Sequence, residues 1–127
     1  MASASSPDSN VFPDMRGLKW SPAEKLIARK VFERALGTEL QQVMREAQRR
    51  AAKLEDFDQL WELEAYLRQS REQIDRKYDY RYSVLPEVFG ILISEGRVAE
   101  AELQELREDK LHYIRSAARV HSSRRIR

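Results

Sequence analysis

The 127-residue sequence contains no cysteine. Disulfides, thiolate metal sites and a cysteine nucleophile are therefore excluded, and the composition suits a reducing compartment. Four glycines and four prolines leave little material for the many tight turns of a sheet-rich fold. No run approaches the ~20 apolar residues of a membrane span. The opening "MASASSPDSN" lacks the apolar core of a secretory signal, so a cytoplasmic protein is expected. Glycine-rich phosphate loops are absent. The two histidines, His112 and His121, form no nucleophile constellation. Asp109 and His112 sit three apart, like one arm of a di-metal site in a helix bundle. Such a site needs a second arm and further carboxylates, so a surface Asp-His pair is the reading adopted. No catalytic residue, metal or cofactor is expected.

Acidic residues are missing from the last 17 positions. Before Leu111, 18 lysines and arginines face 21 acids, a net −3; from Leu111 onward there are five arginines and no acid, a net +5. The overall charge of +2 hides this division. Such a tail binds nucleic acid or an acidic surface, or is simply a solvated terminus, which is the commoner case.

What is present reads as helix. Residues 1–20 are Ser-, Asp- and Pro-rich and are expected to be disordered, with Trp20 tethering their end. "SPAE" at Ser21 combines a capping box with proline at the first helical position. Ala28, Phe32, Leu36, Leu40, Val43, Ala47 and Leu54 then recur at helical spacing, predicting one helix from Pro22 to about Lys53 across Gly37. Asp56 or Asp58 can cap a second helix whose Leu60, Leu63, Leu67 and Ile74 form a seam for packing on the first, as an antiparallel hairpin. Ser83 can cap a third, apolar helix that stops at Gly96, and a fourth runs from about Val98 to Ala118. The expected division is a disordered segment 1–20, a hairpin 21–81, a helical head 82–118 and a disordered basic tail 119–127. The first helix is too long for this chain to cover, so a C2 homodimer through Phe32, Leu36, Leu40 and Val43 is expected. A break at Gly37 giving a compact monomer is the competing arrangement.

Two stretches bear on function. Trp61 borders a polar face carrying Glu64, Arg68, Arg71 and Glu72. Tryptophan and arginine are enriched at binding hot spots, although packing of Trp61 on a neighbouring helix accounts for it equally well. "RKYDYRYS" alternates Tyr78, Tyr80 and Tyr82 with charged residues. A lone strand is unstable, so this is read as a helix end plus a linker forming a joint. Its rings either pack at a corner with their hydroxyls at the surface or take cation–π partners from Lys77 and Arg81. Base stacking fits poorly, because Asp75 and Asp79 repel phosphate, and nucleic acid is not the expected partner.

The strings "WSPAEKLIARKVFERA", "LWELEAYLRQSREQID", "KYDYRYSVL" and "EGRVAEAELQELREDKL" resemble the fluorescence recovery protein family of cyanobacteria over roughly residues 19–118. The resemblance implies an all-α fold: a long antiparallel hairpin plus a small head, in an elongated homodimer. It implies a non-enzymatic regulator that binds the photoactivated orange carotenoid protein. That partner is returned from its red to its orange form and detached from the phycobilisome, which ends non-photochemical quenching and restores fluorescence. By the resemblance, partner binding falls on Trp61 and Arg71, with Glu64 and Arg68 beside them. Head contacts fall on Glu87, Phe89 and Tyr113, and the joint on Tyr78, Tyr80, Arg81 and Tyr82. The chain departs from the family pattern at Glu64 and Ala65 (His then Asp), at Pro86 and Glu87 (two apolar residues) and at Tyr113 (lysine). A regulator of a variant carotenoid protein and a helical dimeric adaptor with a different, acidic partner both accommodate these departures.

Overall fold

The computed structural model describes residues 15–126, with side chains through 124. The Ser- and Pro-rich residues 1–14 expected to be disordered, and Arg127, lie outside the described part. Within it the fold is all-α, with no strand. A 3-10 turn (Met15–Gly17) leads into α1 (Pro22–Ala52), α2 (Phe57–Lys77) and α3 (Leu85–Ser94); a 3-10 helix (Glu100–Leu103) precedes α4 (Glu108–Ile126).

The expected capping box starts α1: the Ser21 hydroxyl accepts from the Glu24 amide at 3.1 Å and the Glu24 carboxylate accepts from the Ser21 amide at 2.9 Å. α1 then continues unbroken through Gly37 for 31 residues, or about 46 Å. Asp56, rather than Asp58, caps α2 by accepting from the Gln59 amide at 2.8 Å. α1 and α2 form the expected antiparallel hairpin. As contacts climb α1 from Glu39 to Arg50 they descend α2 from Lys77 to Tyr66. Arg50 lies 4.3 Å over the Tyr66 ring while its Nε pairs with Glu46, whose carboxyl the Arg49 and Arg50 guanidiniums pull down to about 2.

Three expectations about the second half are corrected. Ser83 caps nothing: α3 begins one residue later than such a cap requires, with Val84 at its N-cap and no side-chain hydrogen bond. The fourth helix is two elements, because the backbone turns between Leu103 and Glu108. Leu103 and Leu106 both insert into the core there, and the Glu24 carboxylate takes the Arg107 amide at 2.8 Å. The tail from residue 119 is helical through Ile126, not irregular; arginine is a strong helix former and the run contains no Gly or Pro to stop it. Gly96 does end α3 as expected, at φ 76°, with the Arg97 amide reaching back to the Leu92 carbonyl at 2.9 Å. α3 and α4 approach so closely that a Cβ on Gly90 would lie 2.8 Å from the Ala118 backbone nitrogen.

The core lies in the head. Ala28, Val31, Phe32 and Ala35 of α1 join Leu85, Val88, Phe89 and Leu92 of α3, Leu103, Leu106, and Leu111 and Ile114 of α4. Nearly the first half of α1, through Ala35, therefore belongs to the same core as the residues beyond 82. The rest of α1 runs out with α2 as an arm, in which Ile74 is the one fully buried side chain of α2. Of the expected Leu60–Leu63–Leu67–Ile74 seam, Ile74 is buried and Leu63 half-buried, whereas Leu60 and Leu67, two heptads and one heptad before Ile74 on the same side, remain exposed at its edge.

A buried ion pair fastens the start of α1 to α4. Lys110, with none of its surface exposed, places Nζ 3.1 Å from Glu24 Oε1, bonds the Lys19 carbonyl and lies 5.5 Å from the Trp20 ring. Burial alone would raise the Glu24 pKa. The Ser21 and Arg107 amides and the Lys110 ammonium outweigh that and hold it below the ordinary carboxylate range.

The joint is, as expected, a helix end plus a linker: α2 stops at Lys77 with Tyr78 as its C-cap. From Tyr78 to Arg81 the backbone is non-helical, so alternate side chains point the same way. Tyr78, Tyr80 and Tyr82 all turn onto the head, and Asp79 and Arg81 pair with each other at 2.6 Å outside it. Phe32 meets Tyr78 and Tyr80 edge-on at 5.4 and 4.8 Å, and Trp20 meets Tyr82 at 5.3 Å, the tether expected of it. Lys77 sits over Tyr78 as anticipated, but Arg81 does not stack; Arg29 and Lys25 of α1 cover Tyr80 and Tyr82. The hydroxyls are not all at the surface. That of Tyr80 is buried without a partner, and that of Tyr78 donates to Glu39 Oε1 at 2.8 Å. Burial, then the Glu39 carboxylate, pushes the Tyr78 phenol well above its usual pKa, so it stays a donor. Glu39 also pairs with Lys77 and Arg97, which share Glu95 at 2.7 and 2.9 Å. This latch joins the middle of α1, the end of α2 and the end of α3.

Two predictions follow from these contacts. Glu24→Gln removes the more buried of the two carboxylates facing a fully buried lysine, leaving Asp109 Oδ1 at 3.2 Å from Nζ, and is expected to cost about 3 kcal/mol near neutral pH, read by urea denaturation. Because the folded-state pKa of Glu24 is depressed, its contribution is complete above the unfolded value of ~4.3 and is lost as pH falls through the folded one. The gap between variant and parent therefore narrows on acidification. Tyr78→Ala with Tyr82→Ala removes two aromatic contacts of the joint and is expected to cost about 5 kcal/mol and change the small-angle scattering profile. Unchanged shape and stability would rule out a structural joint.

Candidate functional site

α2 has two faces. Residues 57, 61, 64, 68 and 71 repeat at three- and four-residue steps and share the side turned from α1, with Leu60 and Leu67 at its border with the α1 seam. On that side stand Phe57, 81% exposed, and Trp61, 64% exposed, and the bordering Leu60 and Leu67 are exposed too. Glu64, Arg68 and Arg71 complete the stripe, all exposed. The sequence-predicted group Trp61, Glu64, Arg68 and Arg71 is thus brought together on one open surface, and Trp61 does not pack on a neighbouring helix.

The charges on this face are weakly engaged. Arg68 Nε reaches Glu64 at 3.4 Å and Arg71 Nε reaches Asp75 at 3.7 Å, both one helical turn apart. Exposed pairs of this kind are worth about 0–1 kcal/mol. Both guanidiniums can therefore be re-aimed toward a partner at small cost. An exposed indole beside free-swinging arginines offers apolar area and planar donors together.

Exposed apolar side chains continue on α1, where Leu40 and Met44 lie one turn apart. Of the expected dimer contacts, Leu40 is exposed and Val43 half-buried. Phe32 and Leu36 are corrected: Phe32 is 5% exposed inside the head core and Leu36 packs against that core. Helical spacing placed all four on one stripe, but the head folds over the first half of it.

The head candidates separate likewise. Phe89 is fully buried between α3 and α4 and is unavailable to a partner, a second correction. Glu87 is exposed, with a carboxylate oxygen 3.5 Å from His121 Nε2, and Tyr113 is half-buried against His112 at 5.2 Å. The departure at Pro86 is absorbed structurally, as a buried residue in the first turn of α3. Of the other departures, Glu64 and Glu87 lie in the open, and Ala65 and Tyr113 are half-buried.

Among the described residues no three His, Cys, Asp or Glu side chains gather to hold a metal ion. The Asp109 carboxylate instead bonds the Lys110 amide at 2.8 Å. A head groove of about 430 Å³ runs between α1 and the 3-10 helix. It is bridged by Arg34 and Glu102 at 2.6 Å and floored by Ile27 and Val31, with no histidine or hydroxyl in its walls.

Phe57 and Met44 were missed in sequence. Phe57 lies one turn before Trp61, and that spacing is the signal that could have found it. The Glu39 latch had no sequence signal, because its partners come from three separate elements.

The family profile described as photoprotection regulator fluorescence recovery protein matches residues 20–118. The fluorescence recovery protein of Synechocystis sp. is 39% identical over 101 residues, covering 80% of this chain and 93% of that protein. The solved structure of the Fremyella diplosiphon fluorescence recovery protein superposes with a TM-score of 0.76 at 36% identity, over 80% of this chain and 99% of that one. The Synechocystis structure gives a TM-score of 0.76 at 39% identity with the same coverage. A profile match across the head and the arm, joined to the same fold in the relatives, shows that this chain belongs to the fluorescence recovery protein family of photoprotection regulators.

Proposed function

We propose that this protein binds the photoactivated orange carotenoid protein and accelerates its return from the red to the orange form, thereby restoring phycobilisome fluorescence. The observation that carries the reading is the open α2 face. Trp61 and Arg71, the positions that match the family's partner-binding residues, stand exposed on one surface, uncovered by the described residues. Acceleration without covalent chemistry means differential binding: the regulator holds the path toward the compact orange state more tightly than the red state it first meets. No enzymatic step and no cofactor enters this scheme, and the protein acts in the cytoplasm.

The arm acts as a homodimer. Leu40, Met44, Leu60 and Leu67 are exposed on a two-helix arm with a single fully buried α2 side chain. A two-helix hairpin with so little buried between its helices gains its stability from a second copy, and a two-fold pairing covers the same surface on both. Leu40→Glu with Met44→Glu is expected to convert the dimer to monomer in sedimentation velocity at micromolar concentration. A dimer that persists unchanged places the interface elsewhere.

The functional test mixes the purified protein with photoconverted orange carotenoid protein and follows the red-to-orange absorbance change in darkness. The expected result is faster decay, reduced at least tenfold in effect by Trp61→Ala and by Arg71→Ala, corresponding to about 1.4 kcal/mol each. No acceleration by a folded dimer, across several carotenoid-protein variants, would assign the scaffold a different partner.

A further inference from the structure

The last eight described residues of α4 lie outside the region matched to the family, which ends at residue 118. They extend the helix by about 12 Å. Arg119 and Arg124 on this extension are exposed, and Arg125 and Arg127 follow in sequence. Arg115, one turn earlier, is already committed to Glu100 at 2.7 Å and Glu108 at 3.0 Å. Arg119, in contrast, reaches only the Ser116 hydroxyl, at 3.3 Å. The positive charge of the chain is therefore collected on one projecting helix end that carries no acid of its own.

We propose that this helix end is an electrostatic docking arm for an acidic patch on the protein partner bound by the α2 face, an inference that rests on the reading given above. Its chemistry favours carboxylates on a folded protein. The basic cations are all arginines, whose planar fork pairs with carboxylates bidentately. Val120, partly exposed among them, adds the apolar contact that protein interfaces combine with arginine. A long polyanion such as duplex DNA fits less well. Following the helix back, it meets the exposed Glu87, Glu108 and Asp109 on the same head, and the body before Leu111 carries a net −3. Insertion into a lipid surface is not favoured either, because the exposed Arg119 and Arg124 stand on different sides of the helix and interrupt any continuous apolar face. Positive charges at the rim of a contact steer encounter, so they act on the association rate and are screened by salt.

The test measures association and dissociation rates of the full chain on immobilised photoactivated carotenoid protein at low and high salt, for the parent, Arg119→Glu with Arg124→Glu, and Trp61→Ala. The expected result is an association rate about tenfold lower for the charge reversal at low salt, converging with the parent at high salt, with the dissociation rate little changed. Trp61→Ala is expected to raise the dissociation rate instead. An unchanged association rate at low salt overturns the docking arm while leaving the Trp61 face intact. Retention of the parent on duplex DNA that the charge reversal abolishes, with no effect on the carotenoid protein, makes the arm a nucleic-acid contact and equally overturns the proposal. Should the parent not bind the carotenoid protein at all, the reading of function fails, and the arginines are then tested on immobilised poly-L-glutamate. Low-salt retention lost in the charge reversal keeps the acidic-protein assignment, and no retention ends it.

Discussion

The structure depends on one mismatch of length. α1 is a single helix of about 46 Å, while the core formed by the described residues reaches no further along it than Ala35. Nearly half of α1 is therefore a core helix and the remainder is an arm. That remainder has α2 on one side and solvent on the others. The open face of α2, the exposed leucines and Met44, and the position of Trp61 all follow from a helix that outruns its own head. A break at Gly37 would have removed the arm, but nothing crowds that residue and one glycine costs only ~1 kcal/mol in a helix this long.

An arm on a small head needs a defined angle, and the joint supplies it through two kinds of contact. Tyrosine rings alternate inward from an extended segment onto Phe32 and Trp20, so the linker is held by packing along its whole length. Glu39, Lys77, Glu95 and Arg97 close the other side with charge-assisted hydrogen bonds among half-buried groups. Such groups are screened less than surface pairs, and each depends on the others for its partner. The Glu24–Lys110 pair is the third fixed point. It ties the segment bearing Trp20 to α4, and Trp20 in turn rests on Tyr82. Head, linker and arm are in this way mechanically continuous, as a regulator requires if it is to touch one partner from two elements.

Much of the fold was legible wherever a local rule acts. Ser21 and Glu24, Asp56, and Gly96 mark helix ends through hydrogen bonds within a few residues, and each end lies where those residues put it. The period-two pattern of Tyr78, Tyr80 and Tyr82 was also a true signal, of a helix end followed by a non-helical linker laid against a core. Legibility failed where distant groups compete. Ser83 is a cap residue by type, yet its N3 position would be Pro86, which has no amide hydrogen to give, and the chain enters α3 one residue later. The turn between Leu103 and Glu108 exists because two leucines and the Arg107 amide all meet partners in the head. On α2, Leu60, Leu67 and Ile74 lie a heptad apart on one side, yet Ile74 alone of them is buried, and periodicity cannot say how much of that side the rest of the fold covers.

By itself the sequence determined the helices, their order, the short hairpin connection, the uneven distribution of charge and the kinship to a family of photoprotection regulators. These rest on hydrogen bonds and side-chain periods within a few residues, or on strings that can be compared directly. Only the tertiary structure decided that Phe32 and Phe89 are core while Phe57 and Trp61 are surface. It alone assembled the Glu39 latch and buried a lysine against Glu24. The physical reason is the same in each case: burial and ion pairing are settled by which elements meet in space, and residues far apart in the chain carry no local mark of that meeting.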